Sequence, residues 1–332
     1  MNISFFSFEG WEEAHLKKNF SSHELKFVKS PLTLKNAKDA KDAEVISVFV
    51  DSKMDKAMLD KLPNLKFVTT RSTGFDHIDL KECKKRGITA SYVPGYGDNT
   101  VAEFTFGLIL NLSRKIYWGI DRLKETSRFE FMGLRGIDLK GKTIGVVGTG
   151  RIGKEVVRIA RGFDMNIIAF DVVKDAAYAK KMGYKYVSLE ALLKKSDFVT
   201  LHCPLNKHTN HLINKKNIKL MKPTAYLINA ARGGLVETEA LVEALKKKKI
   251  AGAGLDVLEE EVALKEKHYK PAKGEDAETM LQDHILIHMD NVLITPHDAF
   301  NSVEAHERIL DITIGNIKGF IKGKPENVVP EE

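Results

Sequence analysis

Apolar and polar positions follow two rhythms along the chain. Short, nearly continuous apolar runs rich in β-branched and aromatic residues predict strands buried on both faces. In the first third these runs are Ile3–Phe8, Leu25–Lys29, Val45–Val50, Lys66–Arg71 and Thr89–Val93. Between the last three, Asp55–Leu62 and Leu80–Arg86 carry helical spacing, and Pro63 and Gly87 punctuate their ends. A longer helical pattern puts Val101, Phe104, Leu108 and Leu112 on one face, and predicts a single helix from about Asn99 to Lys124. A second series of strands begins at Thr143: Thr143–Gly148, Asn166–Phe170, Phe198–Cys203, Ala225–Asn229, Gly254–Val257 and Val292–Thr295. Helical segments fill its gaps, among them Gly153–Arg161, Leu189–Lys194 and Thr238–Lys247, and a final helix runs from about Ser302 to Lys322. Lys265 to His288 reads as a polar, helix-prone insertion. Strands alternating with helices predict parallel sheets covered on both faces. At 332 residues the chain is long enough for two such domains. The fold class expected is therefore α/β, with two doubly wound Rossmann-like domains.

One turn in the second series carries a specific signal. Thr143-Ile-Gly-Val-Val-Gly-Thr-Gly-Arg-Ile-Gly153 places Gly148, Gly150 and Gly153 in the Gly-x-Gly-x-x-Gly spacing between an apolar strand and a helix. In that context the first glycine permits the tight turn, the second lets backbone approach a pyrophosphate, and the third lets helix and strand pack closely. Free N–H groups at the helix start, where Arg151 and Ile152 are expected to cap it, favour an anion. The next strand ends at Asp171, 18 residues after Gly153, where a carboxylate binds the ribose hydroxyls and repels a 2′-phosphate. This predicts NAD rather than NADP as cofactor.

Three further segments end strands of the same series: Asn229-Ala-Ala-Arg-Gly-Gly234, Leu255-Asp-Val-Leu-Glu-Glu-Glu261 and Thr295-Pro-His-Asp298. Together they offer an arginine, a run of carboxylates and a histidine. Hydride transfer to a 2-keto acid calls for those types. A planar guanidinium suits the substrate carboxylate. The carbonyl oxygen, becoming an alkoxide, needs a proton donor, and histidine titrates near neutrality. A neighbouring carboxylate favours the imidazolium and orients it.

The chain resembles the NAD-dependent D-2-hydroxyacid dehydrogenase family over nearly its whole length. The resemblance rests on Val147-Gly-Thr-Gly-Arg-Ile-Gly153, Leu227-Ile-Asn-Ala-Ala-Arg-Gly233, Gly254-Leu-Asp-Val257 with a glutamate five residues after the aspartate, and Thr295-Pro-His297. It implies that Arg232 binds the substrate carboxylate, that His297 is the acid/base, and that Glu261 supports it. Asp256 falls where the family contacts the nicotinamide end, and Cys203, Pro204 and Ala230 join the cofactor set. The match of Arg71-Ser-Thr-Gly-Phe-Asp-His-Ile-Asp79 to the family's substrate loop implies that the amides of Thr73 and Gly74 receive the substrate carboxylate. Val93-Pro-Gly-Tyr-Gly-Asp-Asn99 places Tyr96 near the substrate, and Phe300 is expected to wall the pocket. Glu259 and Glu260 are read as solvated acids.

Two departures bear on the substrate. Val262 stands where many members have proline, and a long insertion follows. The insertion and the Pro94-x-Tyr96 pattern resemble the D-lactate dehydrogenase branch, so the substrate expected is pyruvate/D-lactate. Enzymes of hydroxyisocaproate or hydroxyphenylpyruvate type are the alternatives within the family. An NAD(H)-sensing corepressor is the alternative of another class. The chain ends soon after its final helix, which argues against a phosphoglycerate dehydrogenase with a regulatory domain. The resemblance further implies a discontinuous substrate domain (1–98 and the returning helix, 299–332), an NAD domain (99–298), closure about the substrate, and a homodimer joined through the NAD domains.

Composition changes little. The net charge of +7 comes from lysines scattered among acids, as at Lys84 to Arg86 and Lys246 to Lys249, with no basic stripe interleaved with aromatics, so no nucleic-acid partner is expected. Two cysteines, Cys83 and Cys203, make no disulfide framework. No signal peptide or membrane span is read, and the location expected is cytoplasmic. His284 and His288 have the spacing of helical metal ligands but no clear third ligand, so no metal is expected.

Overall fold

A computed structural model describes residues 1–259, 261 and 275–330. The chain divides into two compact units, one formed by Met1–Tyr96 with Ser302–Glu332, the other by Gly97–Asn301.

The first unit contains β1 (Asn2–Phe6), α1 (Glu13–Asn19), β2 (Glu24–Val28), β3 (Val45–Val48), α2 (Lys56–Leu59), β4 (Phe67–Thr70), α3 (Leu80–Lys85), β5 (Thr89–Ser91) and, from the end of the chain, α11 (Val303–Ile321). Its five strands are parallel in the order β2-β1-β3-β4-β5. β3 and β4 are buried throughout, as continuous apolar strands between two helical layers must be. Met58, Leu59 and Cys83 cover one face of the sheet. Leu16, Leu310, Ile314 and Ile317 cover the other. Ser302 caps α11 by accepting a hydrogen bond from the Ala305 amide at 3.2 Å.

The second unit contains α4 (Asp98–Arg114), α5 (Ile116–Thr126), β6 (Thr143–Val147), α6 (Arg151–Gly162), β7 (Asn166–Phe170), α7 (Ala176–Met182), β8 (Lys185–Tyr186), α8 (Leu189–Lys195), β9 (Phe198–Leu201), β10 (Tyr226–Asn229), α9 (Thr238–Lys246), β11 (Gly252–Leu255), α10 (Glu275–Ile287) and β12 (Val292–Ile294). Its seven strands are parallel in the order β12-β11-β10-β9-β6-β7-β8. The chain reverses direction across the sheet between β6 and β9, and such switch points are where open α/β sheets bind ligands. Both units have the Rossmann-like α/β architecture expected.

The single helix expected from about Asn99 to Lys124 is two. Lys115, at φ +53°, takes the left-handed conformation between α4 and α5. The segment after α5 returns to the end of α4, where the Ile137 amide donates to the Ser113 carbonyl at 2.8 Å. Beyond Leu112 the apolar residues are no longer fully covered: α5 has no buried residue, although Trp118 packs against the core. Residues 265–274 of the insertion at 265–288 lie outside the described residues, and the rest is largely α10. In its described part, the ring of His288 contacts the carbonyl of His284, one turn earlier. Among the described residues, no helix is long and apolar enough to cross a membrane, and no group of three metal-ligating side chains converges.

Candidate active site

The turn from β6 into α6 is shaped for an anion. Gly148 has φ +91°, a conformation strained for any side chain, and a Cβ there would lie 2.6 Å from the His202 carbonyl oxygen. The strand end therefore sits directly against the β9 end that carries Cys203 and Pro204. Gly150 is exposed and nothing lies within 4 Å of where its Cβ would be, so backbone is open to approach. Gly150, not Arg151 or Ile152, is the N-cap of α6, and no side chain caps the helix. Arg151 instead pairs with Asp98 at 2.8 Å, drawn to the first turn of α4 where acidic charge is favoured.

Asp171 follows β7. One carboxylate oxygen accepts from the Thr149 amide at 2.6 Å and the Thr149 hydroxyl at 3.0 Å, and the other accepts from the Val173 amide at 2.9 Å. The Thr149 hydroxyl also lies 2.8 Å from that of Tyr186. No sequence signal marked Tyr186, which sits in a two-residue strand. Burial pushes the Cys203 thiol up to about 11, so it stays protonated and is no nucleophile. His202 is pushed down to about 3 by burial and stays neutral, its Nε2 held 2.8 Å from the Thr200 hydroxyl.

Three loops at the strand ends of the same sheet carry the remaining candidates. After β10, Ala230 and Ala231 lead into Arg232. The Asn229 amide donates to the Arg232 carbonyl at 2.9 Å and its oxygen accepts from the Ala231 amide at 3.1 Å, which pins this loop. Arg232 is half-buried, and its Nη1 donates to the Ala231 carbonyl at 2.7 Å.

After β11, Asp256 is buried, and its carboxylate accepts from the Thr295 hydroxyl at 2.6 Å and the amides of Asp298 and Ala299 at 3.1 and 2.9 Å. Burial pushes this carboxyl up to about 6 against the pull of those hydrogen bonds. The aspartate thereby fastens the loop after β12, which carries His297.

His297 itself is left-handed, at φ +56°, a strained state for a side-chain-bearing residue. Its Nδ1 lies 2.7 Å from a carboxylate oxygen of Glu261, and both side chains are about a quarter exposed (27% and 26%). The structure thus brings together two residues 36 positions apart that sequence spacing selected separately. Glu259 is not the solvated acid expected. One of its oxygens lies 2.5 Å from His211 Nε2, and the other accepts from the Thr238 hydroxyl at 2.7 Å and the Thr238 amide at 3.3 Å. Glu260 lies outside the described residues. Phe300 is half-buried a few residues beyond His297.

Thr73, Gly74 and Tyr96 belong to the first unit. Thr73 is exposed and its hydroxyl donates to the Val93 carbonyl at 3.0 Å, while Ser72 donates to the Gly74 carbonyl at 2.6 Å. Tyr96 is buried, and its carbonyl accepts from Arg308 at 2.6 Å.

Residues 106–299 match the family model described as D-isomer specific 2-hydroxyacid dehydrogenase, NAD binding domain. The chain belongs to this family. The D-lactate dehydrogenase of Aquifex aeolicus, solved with NAD and lactic acid, superposes with a TM-score of 0.88 at 39% identity, and 100% of each chain is covered. The glyoxylate reductase of Thermofilum pendens is 39% identical over 301 residues, 89% of this chain and 84% of that one. The D-lactate dehydrogenase of Escherichia coli is 34% identical over 331 residues, 98% of each. The cofactor of this D-2-hydroxyacid dehydrogenase is NAD, and the features of the β6–α6 turn fit it: an uncapped helix start, an open approach at Gly150 and a carboxylate at the end of β7.

Proposed function

We propose that this dehydrogenase reduces a small 2-keto acid to the D-2-hydroxy acid and catalyses the reverse, with pyruvate/D-lactate as its pair. The observation that carries the mechanism is the contact of His297 Nδ1 with Glu261 at 2.7 Å. It leaves Nε2 as the ring atom for the substrate oxygen. When bound, the reduced cofactor supplies the hydride. Arg232 binds the substrate carboxylate and polarises the carbonyl, and His297 protonates the oxygen as it becomes an alkoxide. Glu261 holds the ring in one tautomer and stabilises the imidazolium. Asp256 fixes the His297 loop at the nicotinamide end. Thr73 and Gly74 receive the carboxylate through their amides, and Tyr96 and Phe300 shape the side-chain pocket. In the reverse direction the neutral imidazole accepts the hydroxyl proton.

The test is NADH oxidation with pyruvate, glyoxylate, hydroxypyruvate, phenylpyruvate and 2-ketoisocaproate. Pyruvate is expected to turn over fastest, with D-lactate as product. Preference for glyoxylate would move the substrate to the one named by the Thermofilum pendens relative. No turnover of any keto acid despite NADH binding would replace the enzyme reading with a dinucleotide-sensing binding protein. In the same assay, Asp171→Ala is expected to narrow the preference for NADH over NADPH by roughly tenfold or more, because a repulsive charge is removed. An unchanged ratio would take Asp171 off the ribose.

The proposal includes a homodimer. Tyr117, Ile120 and Leu123 on α5 are between 42% and 49% exposed, and Phe129 and Phe131 just beyond it are 93% and 84% exposed. So many large exposed apolar side chains within one segment favour association with a second copy. Light scattering should return twice the chain mass, and a monomer at micromolar concentration would remove the dimer.

A further inference from the structure

Two histidines of the second unit are left-handed and paired with glutamates: His297 with Glu261, and His211, at φ +50°, with Glu259. The second pair has no part in the mechanism above. Strained backbone persists where surrounding contacts over-determine it, and those around His211 are specific. The His211 amide donates to the Gly234 carbonyl at 2.8 Å and the Ile213 amide to the Leu235 carbonyl at 3.0 Å, so residues 211–213 run beside the segment that follows Arg232. The Asn214 side chain donates to the His211 carbonyl at 2.9 Å. His211 therefore travels with the Arg232 loop.

Glu259 belongs to the other loop, two residues before Glu261. Both of its oxygens are used, one on His211 and one on Thr238 at the first turn of α9, where a carboxylate is favoured by free amides and the helix dipole. The same loop touches the arginine loop directly: a Cβ at Gly233 would fall 2.0 Å from the Leu258 carbonyl oxygen. Backbone contact and side-chain pair thus join the two loops at adjacent residues.

We propose that the Glu259–His211 pair is a positioning clamp, locking the loop that carries Arg232 to the loop that carries Glu261. The cation that holds the substrate carboxylate and the carboxylate that orients His297 then keep one spacing during turnover. The inference rests on the proposed roles of Arg232, Glu261 and His297. Neither Glu259 nor His211 touches substrate in this scheme. Misplacement of a catalytic group by about an ångström costs up to ~100-fold in rate, and that is the scale on which loss of the clamp should be felt.

The experiment compares Glu259→Gln, His211→Ala, the double variant and His211→Gln with wild type, and runs Glu261→Gln beside them. The clamp predicts that the first two each lower kcat/KM for the preferred keto acid by roughly 10- to 100-fold, with the NADH dissociation constant within about twofold of wild type. The double variant should lose no more than either single one, since both remove one interaction. The pH profile for reduction should change with them, because a displaced Glu261 no longer holds the His297 ring in one orientation. His211→Gln, whose amide can donate to Glu259, should recover most of the activity. If Glu259→Gln does not fold, Thr238→Val removes one hydrogen bond to the same carboxylate and should shift the same two readouts more weakly. Additive losses, or an unchanged pH profile, overturn the clamp. If Glu261→Gln changes the profile while the Glu259 and His211 variants behave as wild type, the clamp alone fails. If Glu261→Gln is itself silent, the catalytic pair fails, and the clamp with it.

Discussion

Replacing His297 with alanine is expected to lower keto acid reduction by roughly 10²- to 10⁴-fold, the range for loss of a positioned general acid. On the proposed mechanism the substrate oxygen would then have no proton donor held against it, while the proposed dinucleotide site at the glycine turn and Asp171 is untouched. NADH binding should therefore persist, which separates lost chemistry from lost structure. The left-handed backbone at this residue calls for a second variant. At φ +56° alanine is strained, whereas asparagine tolerates that region. His297→Asn keeps the turn and removes the proton donor, so both variants should be inactive to a similar degree. Any pH dependence that the proton donor imposes on reduction should vanish from the residual rate of His297→Asn. Near-normal turnover by either variant would remove His297 from its role.

The second large effect is on stability, and it lies in the first unit. Arg71 and Glu12 form an ion pair at 2.6 Å with side chains only 6% and 4% exposed. The same guanidinium donates to the carbonyls of Phe6 at 2.6 Å and Ser7 at 2.5 Å, at the end of β1. Glu12 also accepts from the Glu9 amide at 2.9 Å. Arg71→Ala would leave a buried carboxylate and two carbonyls without their donor, and removal of one partner of such a pair costs about 3–5 kcal/mol. Trp11 is next to Glu12, and the chain has two tryptophans, so Trp11 fluorescence in a Trp118→Phe background would follow unfolding of this unit. The urea midpoint should fall sharply in Arg71→Ala. It should fall less in Arg71→Met/Glu12→Leu, where both charges are gone. An equal loss in the two would mean that packing, not the unpaired charge, sets the cost. Because Arg71 leads straight into Ser72, Thr73 and Gly74, Arg71→Ala should also raise KM for the keto acid.

Much of this protein could be read from residue order. Buried parallel strands leave continuous apolar runs, so β3, β4 and β9 stand out without help from the rest of the chain. The glycine turn is legible because Gly148 and Gly153 answer local steric demands and Gly150 leaves the backbone open. Arg232, Glu261 and His297 could be singled out as candidates because their motifs follow strands of one sheet in order.

What tertiary structure decided are matters of closure between distant segments. Helical periodicity could not announce the break at Lys115, because the returning segment at Ile137 meets the end of α4 and α5 buries none of its residues fully. Glu259 and Glu261 are neighbours of one type in one acidic run, yet one meets His211 and the other His297, 48 and 36 positions away. Glu12 and Arg71, 59 positions apart, carry no sign in residue order that the fold will bury them together. Local sequence reports which faces are apolar and which backbone states are permitted. It does not report which polar groups will share a buried space, since that depends on where the strands carry the loops at their ends.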